Sequence, residues 1–317
     1  PGKGARGKRG RAGSPQSKEK KQEARPALSP AGECVSFFRE RGNMKTYQRE
    51  RRYLCGRSPR SAQYQEVEIY PLPTRDGFGR DLDRQNSKPP AFRGTPPAQA
   101  AHNAKQARRW FHRLAVTNFT GNDSHTTLTY AAEHRPADAD AAWRDFRNFL
   151  RHLRDRCKAA GLEKPECLAV MEWQDADTGQ KAVAPHFHVL LRCGLGRDEI
   201  EACWHRKGTR LGRANTDRLQ LDKASLEALA NYMMKNPNRK HRYYRSRGIR
   251  NPIMPPPRDS RYTRQQVARL ATDSALLHSP DYWARKYPGW ELNEASAHYN
   301  DYLGWSISLK MRRRKGG

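Results

Sequence analysis

The spacing of apolar residues predicts both strands and helices in the middle of the chain. Residues 126–130 (TTLTY), 166–173 (ECLAVMEW) and 186–192 (HFHVLLR) are rich in β-branched, aromatic and other apolar residues, which predicts three strands. A turn-like QDADTGQ segment joins the second to the third, so these two are expected to form an antiparallel hairpin. Residues 138–161 repeat apolar side chains at helical spacing and end at Gly161, which predicts an amphipathic helix.

The same patterns continue toward the C-terminus. They predict a short helix over 196–208, a strand over 217–222 and a helix over 223–236. The resulting order, β-α-β-β-α-β-α, is typical of an α+β fold in which helices pack on a central antiparallel sheet. Outside this region, the pattern indicates a strand at 64–73 and a further helix at 262–277.

Composition divides the chain into three expected parts. Residues 1–105 open with a Lys-, Arg- and Gly-rich run that has almost nothing to bury, so we expect this basic region to be largely disordered. A Pro-rich stretch at 86–100 is typical of a linker. Residues 106–255 hold the predicted sheet and form the expected functional domain. Residues 256–317 are expected to be a helical, basic extension.

The net charge of the chain indicates which class of partner it binds. The chain has a formal net charge of +28, is 36% hydrophobic, and has a mean hydropathy of −1.05. A field of this sign attracts polyanions, so nucleic acid is the expected partner. The six cysteines form no C-x-x-C pair, which disfavours a zinc ribbon and favours free thiols. No apolar run approaches the roughly 20 residues of a membrane span, so we expect no membrane contact. We also expect a cytoplasmic location, and the Arg- and Ala-rich composition favours a bacterial source.

Two histidines lie in the strand predicted from APHFHVLLR. Because side chains alternate along a strand, His186 and His188 project from one face and Phe187 from the other. The hairpin places Glu172 beside His186, on a face that is otherwise apolar. Two imidazoles and a carboxylate suit a divalent ion such as Mg²⁺ or Mn²⁺ and leave positions open for substrate oxygens. The alternatives are ordinary polar positions on a half-exposed strand, with Glu172 paired to an arginine.

The helix predicted over 223–236 carries a tyrosine and a lysine away from its apolar face. At about 100° per residue, Tyr232 and Lys235 both lie opposite the side formed by Leu226 and its helical neighbours. Residues three apart are neighbours on a helix, so this ammonium can stabilise a phenolate or a phosphate. Taken alone, the pair is more typical of a surface tyrosine beside a solvated lysine.

Cations and aromatic residues alternate in RKHRYYRSRGIR, residues 239–250. Such a segment can follow a phosphate backbone and stack on bases, although a solvated basic loop has the same composition. The predicted nucleic-acid contacts are Arg239, Lys240, Arg242, Tyr243, Tyr244, Arg245, Arg247 and Arg250.

The order and spacing of these motifs resemble those of the HUH endonuclease superfamily, in particular the rolling-circle replication initiators of bacterial plasmids and filamentous phages. The strand TTLTY, the hairpin VMEWQ…PHFHVLL and the helix NYMMK carry the resemblance. It implies that His186 and His188 bind a divalent metal with Glu172 as third ligand. It also implies that Tyr232 is the nucleophile and that Lys235 assists it.

The resemblance implies a reaction on single-stranded or hairpin origin DNA. Attack by Tyr232 would leave a 5′-phosphotyrosine link and a free 3′-OH that primes rolling-circle replication. The positions four residues away are Ala228 and Asn236, so a single-tyrosine enzyme is expected, and termination would need a second protomer or another nucleophile. The chain has no G-x-x-x-x-G-K-[ST] motif, so a host helicase and a host polymerase are expected partners.

Two other functions remain open at this stage. A mobilisation relaxase or a single-strand transposase would keep the same superfamily and chemistry. A non-catalytic nucleic-acid-binding protein on a similar sheet would need neither a metal nor the hydroxyl of Tyr232.

Overall fold

Two large antiparallel sheets, one two-stranded sheet and seven α-helices form the described part of the chain, an α+β fold as predicted. Residues Met44–Gly317 make one compact unit, and the other unit, Pro1–Asn43, lies outside the described residues. The structure is a computed structural model, and it describes residues 46–74, 97–174, 183–221, 226–235 and 242–314.

The first sheet is built around the predicted hairpin. Its strands are β3 (Ser124–Thr129), β4 (Glu166–Gln174), β5 (Val183–Arg192), β8 (Ala214–Arg218) and β9 (Tyr244–Arg245). They lie in the order β8-β3-β5-β4-β9, and every neighbouring pair is antiparallel. The three strands predicted at the centre of this region are therefore confirmed. The strand predicted at 217–222 instead spans Ala214–Arg218, where pairing with β3 compensates for its polar sequence.

One face of this sheet packs against helix α2 (Ala139–Ala159). The helix begins at Asp138, whose carboxylate accepts the N–H of Ala141 at 2.6 Å and satisfies one of the free amides of the first turn. The apolar stripe predicted for this helix is observed, because Phe146 is fully buried and stacks on Phe187 of β5 with ring centroids 4.8 Å apart.

The opposite face of the first sheet packs against α1 (Pro97–Asn118) and α4 (Glu227–Met233). Phe111 and Leu114 of α1 are fully buried beside apolar residues of β4 and β5. The apolar cluster that these helices form with the sheet covers only part of the face. The polar residues toward one end of β4 and β5 lie outside that cluster. The face therefore has a closed apolar region and a polar end.

The second sheet brings together segments that are far apart in the sequence. Its strands are β1 (Thr46–Cys55), β2 (Tyr64–Pro73), β10 (Trp290–Asn300) and β11 (Gly304–Arg313), in the order β1-β2-β11-β10. The helices α5 (Arg264–Thr272), α6 (Ser274–Leu277) and α7 (Pro280–Lys286) pack on it through a core that includes Val267 and Trp283. The strand predicted at 64–73 and the helical region predicted at 262–277 are confirmed.

Residues in the first and last parts of the chain therefore fold differently from expectation. Within the region expected to be largely disordered, β1, β2 and the start of α1 are ordered elements, and the region expected to be a helical extension also supplies β10 and β11. The physical reason is long-range pairing, since β2 hydrogen-bonds to β11 about 240 residues away in sequence. The first 45 residues lie outside the described part of the chain.

Helix α1 lies between the two sheets and is bonded to the second by charge. Arg113 bonds Glu66 of β2 at 2.6 Å, and Arg109 bonds Glu68 at 2.8 Å. Burial alone would raise the pKa of Glu66, but His112, Arg113 and Arg109 outweigh it and hold that pKa at about 2. Removing one partner would leave a buried charge uncompensated, so these pairs fix the position of α1.

The segment predicted as one helix over 196–208 is a helix followed by a hairpin. Helix α3 spans only Arg197–Ala202, and β6 (His205–Arg206) then pairs with β7 (Thr209–Arg210). Lys207 and Gly208 join them with φ values of 49° and 84°, the left-handed conformation that a two-residue hairpin turn requires. No helix among the described residues is long and apolar enough to cross a membrane.

Candidate metal centre

Three side chains of the β4–β5 hairpin meet at the polar end of the first sheet. The register pairs Glu172 directly with His186, and directly paired residues of antiparallel strands project from the same face. His188 lies two residues further along β5 and shares that face. One ligand-type atom from each side chain lies within 4.8 Å of the other two. The position predicted for Glu172 is therefore confirmed, and one ion could contact all three side chains.

The ring of His188 is buried and uncharged. Its residue is 3% exposed, and its Nε2 has no hydrogen-bond partner among the described residues. Burial, and then the neighbouring rings of His186 and His125, lower the pKa of His188 to about 3. A neutral imidazole offers a lone pair to a metal ion. A buried polar atom without a partner is costly, and a bound ligand would satisfy it. This Nε2 atom therefore fits a divalent ion.

A hydrogen bond orients His186. Its Nδ1 lies 3.0 Å from the carbonyl oxygen of Ala184 and donates its proton there. The Nε2 atom then faces Oε2 of Glu172 at 3.3 Å. An imidazole lone pair and a carboxylate oxygen at this distance need a proton or a cation between them. Two imidazoles and one carboxylate form a donor set that could hold a divalent ion.

Sequence reasoning missed one residue of this site, His125 on β3. Its ring stacks on that of His188 with centroids 5.4 Å apart, and its Nε2 lies 3.3 Å from Nδ1 of His188. Burial lowers the pKa of His125, and the opposing charge of Asp217 is the smaller effect. The signal was available, because His125 alternates onto the same face as Thr127, but the predicted strand began one residue too late.

Tyr232 of α4 lies beside the centre and is open to solvent. Its ring meets that of His188 edge to face with centroids 5.0 Å apart, and 56% of its surface is exposed. Lys235 follows the end of the helix and is also exposed. The buried residues of this segment are Leu226, Ala230, Met233 and Met234. The orientation predicted for Tyr232 and Lys235, away from the apolar face, is therefore observed.

A contact with the second sheet holds α4 in place. Glu227, in its first turn, accepts a bond from Lys310 of β11, and Lys310 also bonds Glu294 at 2.8 Å. These bonds raise the pKa of Lys310 although burial acts against them. A strand near the end of the chain thus fixes the helix that carries Tyr232, which no local sequence pattern reveals.

The segment predicted to contact nucleic acid is described in part. Its described cations are Arg242, Arg245, Arg247 and Arg250, while Arg239 and Lys240 lie outside the described residues. Arg242 donates to the carbonyl oxygen of Asn103 on α1 at 2.7 Å, which ties this segment to the same face as the centre. Arg247 and Arg250 are exposed, as a surface that binds phosphates requires.

The two tyrosines of this segment pack in different places. Tyr243 is half-buried and meets Phe111 of α1 with ring centroids 5.4 Å apart. Tyr244 packs against Phe146 of α2, on the face of the sheet opposite His188. Each ring has a packing partner, and Tyr244 lies on the wrong side of the sheet to reach the centre.

A family model described as replication-associated protein ORF2/G2P matches residues 123–237. The match is a little over a third of the chain and runs from β3 through α4. It contains all the residues of the centre: His125, Glu172, His186, His188, Tyr232 and Lys235. No curated protein and no solved structure matches the chain. This stretch is similar to proteins described as replication-associated.

Proposed function

We propose that this protein is a replication initiator of the HUH type, which nicks and rejoins single-stranded origin DNA through a bond to Tyr232. The observation that carries the proposal is the convergence of Tyr232, which is exposed and beside His188, with three side chains that could hold a metal ion. The family match to residues 123–237 supports a role in starting replication. The net charge of +28 supports a polyanionic substrate.

In the proposed reaction, the phenol oxygen of Tyr232 attacks the scissile phosphorus. The bond between phosphorus and the 3′ oxygen breaks as the new bond to Tyr232 forms, and the phenol proton passes to water, because the side chain is exposed. The 3′ oxygen takes a proton from water and leaves as a free 3′-OH, which can prime a host polymerase. The phosphotyrosine keeps the energy of the broken bond, so the reverse reaction can rejoin the strand.

The surrounding residues orient the substrate and balance its charge. When bound by Glu172, His186 and His188, a divalent ion supplies positive charge for the non-bridging oxygens of the phosphate. Lys235 supplies a second cation near Tyr232. The basic segment from Arg242 to Arg250, joined to α1, would hold the phosphates beside the reacting one.

A cleavage assay with and without metal tests this proposal. Single-stranded oligonucleotides spanning the DNA beside the gene, labelled at the 3′ end, are incubated with the protein in Mn²⁺ or in EDTA. We expect a labelled protein–DNA adduct on a denaturing gel in Mn²⁺ and none in EDTA. Tight binding without an adduct on any oligonucleotide would contradict the proposal and favour a non-catalytic binding protein.

His125 is proposed as a positioning residue for the metal ligand His188. When Nε2 of His188 binds the metal, the proton lies on Nδ1 and can be donated to Nε2 of His125 at 3.3 Å. We expect His125→Phe, which keeps a ring on His188 but removes the acceptor, to weaken Mn²⁺ binding about tenfold. Isothermal titration calorimetry measures this effect without any DNA.

The conservative variant His125→Gln provides the control, because its amide oxygen can accept the same proton. We expect it to bind Mn²⁺ more tightly than His125→Phe. Equal and wild-type affinity in both variants would show that His125 serves packing alone and that Thr127, whose Oγ1 lies 3.4 Å from the same Nδ1, is the acceptor.

A further inference from the structure

A cleft on the other side of the first sheet collects positive charge that the proposed reaction does not use. It has a volume of about 540 Å³ and lies between α2, the loop that precedes it, and the β6–β7 hairpin. Its cationic lining residues are Arg135, Arg144, Arg151, Arg206 and Lys207, and Asp145 is its only carboxylate. We name it the α2–hairpin cleft. Because Phe187, which packs under α2, points away from His186 and His188, this cleft faces away from the metal centre.

Most of the charge in this cleft is available to a ligand. Arg206 is held by Asp145 through two bonds of 3.0 and 2.5 Å, so these two charges balance each other. Arg144, Arg151 and Lys207 are exposed and form no ion pair with any described residue. The pair between Arg206 and Asp145 joins the hairpin to α2, so the backbone that carries the free cations is fixed before a ligand binds.

The hairpin turn is strained at the residue that carries charge into the cleft. Two-residue turns of this kind favour Asn-Gly, because both residues need a positive φ. Here Lys207 occupies the first position with a φ of 49°, a conformation that is costly for a long side chain. Asparagine at this position would relieve the backbone strain. A strained lysine is expected where its side chain has a function.

The lining of the cleft selects the form of nucleic acid. Proteins that bind single strands stack bases on exposed aromatic rings. The only rings in the α2–hairpin cleft are those of His152 and His205, which stack on each other with centroids 4.0 Å apart and nearly parallel planes. The cleft has no Phe, Tyr or Trp in its lining, and it offers cations and Asn148 to phosphate oxygens. A neighbouring cleft beyond His205 contains Asp198 and Glu201 and is unsuited to the same ligand.

We propose that the α2–hairpin cleft binds the phosphate backbone of duplex DNA. The sheet and helix layers, each about 10 Å thick, separate it from the metal centre by roughly 20 Å. One molecule could thus hold a duplex on one side while a single strand reaches Tyr232 on the other. The binding itself does not depend on the nicking chemistry.

A triple variant, Arg144→Gln with Arg151→Gln and Lys207→Gln, tests this proposal. We measure affinity for a short labelled duplex of arbitrary sequence and for one of its single strands, by fluorescence anisotropy in EDTA. The matched control removes three exposed cations from other surfaces: Arg264→Gln, Arg285→Gln and Arg314→Gln. Circular dichroism checks that both proteins are folded.

We expect the cleft variant to bind the duplex at least about tenfold more weakly than the control, with a salt-dependence slope smaller by about 2.7, near 0.9 per lost phosphate contact. Single-strand binding should change no more than in the control. Equal duplex affinities in the two triple variants would overturn the proposal, and an equal loss for single strands would overturn the choice of duplex. Because no cleavage is measured, these results stand whether or not Tyr232 is the nucleophile.

A single variant separates charge from structure at the hairpin. Lys207→Asn places a residue that tolerates a positive φ in the turn, so we expect Tm to rise by roughly 2 °C. The same change removes one cation and should weaken duplex binding about twofold or more. A gain in stability with unchanged duplex affinity would show that Lys207 has no role in binding.

Discussion

Replacing Tyr232 with phenylalanine should abolish the covalent protein–DNA adduct while leaving DNA binding intact. The change removes one oxygen from a side chain that is 56% exposed, so the fold loses nothing. Its ring can still meet the ring of His188 edge to face. If the phenol oxygen is the nucleophile, cleavage should fall at least about 10³-fold, or about 4 kcal/mol of transition-state stabilisation.

Three other tyrosines serve as controls in the same assay. Tyr299→Phe changes a tyrosine that is 50% exposed on the second sheet and should leave cleavage unchanged. Tyr243→Phe and Tyr244→Phe test the neighbours that pack on α1 and α2, and neither should remove the adduct. Undiminished cleavage by Tyr232→Phe would exclude the proposed nucleophile, and loss of the adduct in Tyr243→Phe would transfer the role to that residue.

The second large effect is expected at the metal centre. His188→Ala removes the buried imidazole whose Nε2 has no hydrogen-bond partner in the described ranges, and should weaken Mn²⁺ binding by about 100-fold or more. Adduct formation should fall with metal occupancy and should not be restored by more DNA. Calorimetry with Mn²⁺ and the adduct assay measure the two effects separately.

Because His188 is 3% exposed, its replacement could also disturb packing. His186→Ala covers this case, since the side chain of His186 is more exposed, at 19%, and its loss should disturb packing less. Both variants should lose Mn²⁺ binding, whereas His298→Ala, an exposed histidine on β10, should not. Wild-type Mn²⁺ affinity in a folded His186→Ala protein would argue against a metal site formed by this hairpin.

The centre was largely predictable because its residues lie on short-range elements. The hairpin of β4 and β5 follows from alternation and a turn, and alternation alone puts His186 and His188 on one face. The antiparallel register then brings Glu172 opposite His186. The orientation of Tyr232 follows equally from the apolar face of α4, because 3.6-residue periodicity is a local property.

The rest was hidden because it depends on long-range contacts. The pairing of β2 with β11, and the bonds from Arg113 to Glu66 and from Lys310 to Glu227, join residues that no local period relates. The hairpin of β6 and β7 was missed because Lys207 occupies a turn position where asparagine or glycine is usually found. His125 was missed because one end of a predicted strand was placed a residue short, and strand ends are fixed by pairing rather than by composition.

The most direct test of the central claim is to identify the residue that becomes attached to DNA. The adduct formed in Mn²⁺ is digested with a protease and a nuclease, and the modified peptide is sequenced by mass spectrometry. The proposal predicts a nucleotide joined through its 5′-phosphate to Tyr232, in a peptide containing NYMMK. Attachment to any other residue, or a cleaved strand with no attached peptide, would contradict it.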